Sequence, residues 1–159
     1  MVKDFRFWNN MTGWALFAVS LLVYLLTIEP TVSFWDCGEF ILCSYRLEVG
    51  HPPGAPFFLL LGRFFTLFAG GDTSKVAMMV NIMSALASAF TILFLFWSVT
   101  RLIRLATGDG RDVTGGKALA ILASGAVGAL AYAFSDTFWF SAVEGEVYEI
   151  GRASCRERV

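Results

Sequence analysis

The run VAMMVNIMSALASAFTILFLFWSVT, residues 76 to 100, carries no charge over a length that can cross a bilayer. Two more runs have the length to cross: 11 to 28, MTGWALFAVSLLVYLLTI, which is also uncharged, and 118 to 142, ALAILASGAVGALAYAFSDTFWFSA, whose one charge is Asp136. A backbone in lipid has no water to satisfy it, so segments of this kind must close their own hydrogen bonds as helices. The chain is 57% hydrophobic and 16% aromatic, above the apolar share of an ordinary soluble domain. The expected class is an all-α membrane protein with three transmembrane helices. Ser84, Ala85, Ser88 and Ala89 in one span, with Ser124, Gly125 and Gly128 in another, suit close helix approach in lipid.

The rest of the composition excludes more than it suggests. A net charge of −1, with no basic block and no interleaving of arginine with aromatics, gives no nucleic-acid surface. Cys37 and Cys43 point to different sides of one helix and Cys155 stands apart, so neither a disulfide framework nor a thiolate metal site is expected. The first run is long for the apolar part of a cleaved signal and has no small-residue cleavage pattern after it, which favours a retained anchor. After Glu149 the chain switches to the charged, pattern-free IGRASCRERV. This peptide resembles a translated sequencing adapter, so residues 150–159 are expected to be a non-native tail and residues 1–149 an amino-terminal fragment.

Residues 54 to 70, GAPFFLLLGRFFTLFAG, are short for a span and place Arg63 in their middle, at a cost of about 3 kcal/mol at a bilayer centre. If this segment spans, the loop 101–117 with Arg101, Arg104, Arg111 and Lys117 falls outside, against the positive-inside bias. If it lies flat, that loop is inside, and residues 29–75 share the outer side with the end of the third span. The flat arrangement is therefore expected. It gives two interfacial helices in the first outer loop, 34–47 and 54–70. In the first, Ser33 can cap, Asp36, Glu39, Cys43 and Arg46 form one stripe, and Ile41, Leu42 and Tyr45 face away. Pro52-Pro53 interrupts it, Pro56 suits a first helical turn, Gly70-Gly71 ends the second helix, and Asp72 or Thr73 caps the following span.

FWDCGEF, then GHPPGAPF, then AVEGEVY after a small-residue-rich span, resembles the GT-C glycosyltransferase superfamily. It is most similar there to a bacterial multi-pass family related to protein O-mannosyltransferases. The resemblance covers nearly all of residues 10 to 148, although members of that family are much longer. It implies the amino-terminal part of a GT-C fold in the inner (cytoplasmic) membrane, with its active face outside the cytoplasm. The implied reaction moves a sugar from a polyprenyl-phosphate-type donor to an acceptor hydroxyl on a protein or glycan, a protein Ser/Thr being one such acceptor. A base must take the acceptor proton as the phosphate departs, and a carboxylate at the water–lipid boundary can do so. Asp36 is the candidate base, and Glu39, one turn on, the candidate for orienting the acceptor or holding sugar hydroxyls. His51 is a candidate donor to the phosphate, Arg46 and Arg63 candidates for neutralising its charge, and Glu144 and Glu146 candidates for acceptor binding.

No cofactor and no metal are expected; were a metal used, Asp36, Glu144 and Glu146 would be its possible ligands. The bland alternatives are an Asp36 that only caps its helix and glutamates that are only solvated. A transporter or assembly subunit remains the alternative class. A transporter would place its charges near the bilayer midplane, whereas these lie at one face; Asn81 and Asp136 are the polar candidates within the spans, and Asp136 is near the outer end. An assembly subunit explains the spans but not the succession of acids and HPP.

Overall fold

The computed structural model describes residues 5–33, 36–52, 54–108, 113 and 115–145. Among them the chain is helical and contains no strand: α1 is Phe5–Leu26, α2 Cys37–Arg46, α3 Pro56–Thr66, α4 Val76–Ala106, α5 Gly116–Ala133 and α6 Asp136–Val143. Three stretches are long and apolar enough to cross a membrane: Phe5–Leu26, Thr73–Ala106 with its short 3-10 lead-in, and Gly116–Ala133. The all-α membrane class is thus what the chain adopts.

The helix ends differ from those expected. α1 starts at Phe5 and α4 runs on through Arg101 and Arg104 to Ala106. The third apolar run, expected to be continuous over 118–142, is two helices. Phe134 leaves helical geometry at φ −105° and ψ 15°, and the Ser135 hydroxyl donates back to the Tyr132 carbonyl at 2.8 Å. A serine that takes a local carbonyl competes with the helical ladder, and Asp136 then favours a new helix start.

The described residues divide into two compact units. In one, from Met1–Ser20 and Ala89–Ser135, the amino-terminal part of α1, the end of α4 and α5 come together. Trp14 meets Trp97 edge-on at 6.2 Å and Phe17 meets Phe90 at 4.7 Å. Gly125 lets α5 close on α4, since a Cβ there would stand 2.7 Å from Thr100 Cγ2. Ser124 and Gly128, expected to share that packing role, are exposed instead.

The other unit, Leu21–Ser88 and Asp136–Val159, contains α2, α3, the start of α4 and α6. Its core is Ile41, Cys43, Phe58, Leu59, Ala69, Val76, Ala77, Val80 and Met83. α2 and α3 approach closely because Gly62 faces Ser44, where any Cβ would collide with the serine hydroxyl. Tyr24, fully buried at the end of α1, packs its ring against Phe138 and Trp139. Asn81, inside the apolar α4, is also fully buried; its Nδ2 donates to the carbonyls of Glu29 at 2.7 Å and Thr31 at 3.2 Å. This amide fixes the chain as it leaves α1, in the same unit as the candidate acids.

Candidate functional site

α2 begins at Cys37, so Asp36 and not Ser33 occupies its N-cap position. Asp36 makes no side-chain cap bond, and its side chain is 65% exposed. The capping explanation for this residue therefore lacks its defining contact. One turn on, Glu39 projects from the same side. α2 closes at Leu47, which adopts left-handed geometry at φ 56° while the Glu48 N–H reaches the Cys43 carbonyl at 3.1 Å. The chain then turns back, and the Gly54 N–H closes a turn on the His51 carbonyl at 2.9 Å.

That return brings His51 onto Glu39. Its backbone N–H donates to Glu39 Oε1 at 2.6 Å, and its ring Nδ1 lies 2.9 Å from Oε2. Gly50 makes room, since a Cβ there would sit 3.0 Å from Oε1. On the other edge of the ring, Nε2 lies 4.0 Å from Asp36 Oδ2. The hydrogen bond from the His51 ring, followed by that from its backbone N–H, holds the Glu39 carboxyl below its ordinary 4.5. Reciprocally, the bond to Glu39 and then its charge raise His51 above 6.5, with a smaller pull from Asp36.

Each partner thus favours the charged form of the other. Glu39 contributes above the acid range and loses its contribution as pH falls through its lowered pKa. His51 contributes below its raised pKa and loses its contribution as pH rises through it. The pair is complete in the window between.

Asp36, Glu39 and His51 offer polar atoms within 4.8 Å of one another, close enough for one cation to be shared. Both Glu39 oxygens, however, already accept from His51, so the arrangement is a hydrogen-bonded Glu39–His51 pair with the Asp36 carboxylate beside it, three residues referred to below as the triad.

The other sequence candidates fall elsewhere. Arg46 pairs loosely with Glu48 at 3.7 Å on the exposed end of α2. Arg63 turns inward, donating to the Tyr45 carbonyl at 2.6 Å with its guanidinium 5.7 Å from the Tyr45 ring centre. It ties α3 to α2 and does not reach the triad. Glu144 lies half-buried in the turn after α6, without a hydrogen bond or ion pair to the triad among the described residues. Glu146 and the tail 150–159 lie outside the described residues. Cys43 was expected in the polar stripe but is buried; burial, then Glu39 and Glu48, push its thiol pKa up and keep it protonated.

Two features escaped the sequence reading. The Glu39–His51 pair joins residues twelve apart across a turn, and no periodicity signals it. Asn81 was visible as a lone amide in an apolar run, but the loop carbonyls it would bind were not.

The comparisons with known proteins bear on the family of the chain. Residues 36–154 match the model of the protein O-mannosyl-transferase TMEM260 N-terminal domain, a match that starts at Asp36 and runs into the tail set aside above. The chain is similar to protein O-mannosyl-transferase TMEM260 of Mus musculus, 34% identical over 137 residues, covering 86% of this chain and 17% of that protein. It is also similar to protein O-mannosyl-transferase tmem260 of Dictyostelium discoideum, 27% identical over 135 residues, covering 85% of this chain and 14% of that protein. The chain thus spans about one sixth of the length of these relatives. No solved structure matches. The matched segment contains the triad and the four helices that follow α2, and the chain belongs to the TMEM260 N-terminal domain family of protein O-mannosyltransferases.

Proposed function

We propose that this chain is the amino-terminal part of a GT-C-type transferase that moves mannose from a polyprenyl-phosphate donor to a Ser or Thr hydroxyl. The observation that carries the reading is the triad: an uncapped, exposed carboxylate beside a histidine held by a second carboxylate, within the segment that matches the family. Asp36 takes the proton of the acceptor hydroxyl. The acceptor oxygen then bonds to the anomeric carbon, and the bond from that carbon to the phosphate oxygen breaks with its electron pair leaving on the phosphate. Attack opposite the leaving group inverts the anomeric centre. His51 lies next to the base and serves the departing phosphate. Glu144 and Glu146 remain candidates for acceptor contacts, and Arg46 for a more distant one to the donor.

The reading places residues 29–75 outside the cytoplasm on a multi-pass membrane protein, with α2 and α3 along the surface. The exposed stripe Phe57, Leu60, Phe64, Leu67 and Phe68, with Arg63 at its flank drawn onto the Tyr45 carbonyl, supports a helix lying on lipid. The test is transfer of labelled mannose from mannosyl-phospho-polyprenol to a Ser/Thr peptide by membranes containing the full-length protein that carries this sequence. Label in the peptide, retained after EDTA treatment, is the expected result. Absence of transfer overturns the reading, and loss of transfer with EDTA overturns the metal-free form of it.

A further inference from the structure

The geometry points to Glu39 as a positioning residue for the donor phosphate: it clamps His51 so that the ring presents its Nε2–H to an anion. This inference rests on the transferase reading above and changes the role of Glu39, which the sequence alone had assigned to the acceptor.

Both oxygens of Glu39 are occupied, Oε1 by the His51 backbone N–H at 2.6 Å and Oε2 by Nδ1 at 2.9 Å. A carboxylate only accepts, so Nδ1 carries a proton and Nε2 is the edge left for a ligand. The His51 side chain is 46% exposed, and Nε2 makes no hydrogen bond among the described residues; Asp36 Oδ2, at 4.0 Å, is too far for one. Phe40 backs the ring at 5.8 Å between centroids. The charged groups facing the imidazole are Glu39 and Asp36. Arg46 is turned to Glu48 and Arg63 to the Tyr45 carbonyl, so protonated His51 is the cation that this cluster offers a phosphate. With Asp36 4.0 Å away, an anion on Nε2–H would be beside the base that receives the acceptor proton.

Glu39 is the largest cause holding His51 above its ordinary value. As pH rises through that raised pKa, Nε2 loses its proton while Nδ1–H stays on Glu39, and the phosphate contact is lost. A donor phosphodiester keeps one negative charge throughout the neutral range, so this pH dependence belongs to the protein.

The experiment measures donor KM and kcat against pH for the full-length protein carrying this sequence. In the parent, KM rises on the alkaline side. Glu39→Gln moves that rise to lower pH, and Gly50→Ala, which crowds Oε1, moves it the same way. His51→Gln removes the rise and lifts KM about tenfold in the acid range, the size of one charge-assisted hydrogen bond. A rise that stays in place in Glu39→Gln, or that persists in His51→Gln, overturns the inference. A parent that transfers no sugar from any lipid-phosphate donor overturns the transferase reading instead.

A second arm separates these outcomes without turnover. In the full-length protein labelled with 15N-histidine and placed in phosphatidylcholine nanodiscs, the ring signals that disappear in His51→Gln are those of His51. A short-chain isoprenyl methyl phosphodiester is expected to raise the His51 pKa in the parent chain and to do so less in Glu39→Gln. A His51 titration that ignores the phosphodiester overturns the phosphate contact, and one that ignores Glu39→Gln overturns the clamp.

Discussion

α2 and α3 are neighbours in one loop and pack on the same core, yet they spend their charges in opposite ways. α2 turns Glu39 outward to His51 and buries Ile41 and Cys43. α3 buries Phe58 and Leu59, folds its only charge, Arg63, back onto Tyr45, and leaves Phe57, Leu60 and Phe64 exposed. Two amphipathic helices of similar length therefore present different surfaces, one polar and charged, the other apolar and aromatic. Amphipathicity tells where a helix packs; the identity of its outward residues tells what it meets.

The strongest way to break this contrast is at Asp36. If α2 carries the chemistry, Asp36→Asn keeps size and backbone but cannot take a proton, and sugar transfer by the full-length protein falls about 100-fold or more. The amount of folded protein stays near the parent's, because Asp36 makes no cap bond to lose. Normal activity per folded molecule would remove Asp36 from the mechanism. Loss of folded protein in proportion to activity would return it to a structural role.

α3 is tested by depth. Spin labels at Phe57, Leu60, Phe64 and Phe68, read for contact with oxygen and with a water-soluble relaxant, sit at one shallow depth if the helix lies flat. A spanning helix rises about 1.5 Å per residue, so depth would change by about 16 Å from the first label to the last. A graded series across these positions would sink the surface arrangement and, with it, the outside placement of residues 29–75.

How far the sequence could be read follows the same division. The three apolar runs, the stop at Gly70, with φ 63°, after the 3-10 turn Leu67–Ala69 that follows α3, and the cap at Asp72, which accepts from the Ser74 N–H at 3.0 Å, were legible because they depend on local composition and turn chemistry. The break at Ser135 was not, because serine and aspartate in an apolar run signal a helix end only weakly. Asp36, Glu39 and His51 were visible as candidates, and their being neighbours was not: that requires the turn after Leu47, a leucine in the left-handed region where sequence rules look for glycine. Arg63 was legible as a residue too costly for lipid, but its partner is a backbone carbonyl, which every residue has and no sequence marks.

The join between the two helices gives the next test. Gly62→Leu places side-chain atoms where Ser44 already stands, between two elements that share a core. Overpacking of this kind costs about 1–3 kcal/mol, read as a lower unfolding midpoint in bilayer or detergent. An unchanged midpoint would mean that α2 and α3 do not approach as closely as described, and the surface that holds the triad would then need another support.

The smallest effect compares how the two helices end. The α2 turn closes on Leu47 at φ 56°, and the turn after α3 closes on Gly70 at φ 63°. A side chain in this region crowds its own carbonyl, at a cost of roughly 1–2 kcal/mol, whereas glycine has no Cβ to crowd. Gly70→Ala therefore destabilises by about 1 kcal/mol, and nothing offsets the loss, because no atom lies within 4 Å of the added methyl group. Leu47→Gly removes the same strain from α2, but it frees the unfolded chain and gives up what contact a 55% exposed leucine makes. The net gain is then about 0.5 kcal/mol, seen as a slightly higher midpoint. If Leu47→Gly instead lowers the midpoint and shifts the His51 titration, the leucine holds the turn that delivers His51 to Glu39. Its strain would then belong to the site and not merely to the helix end.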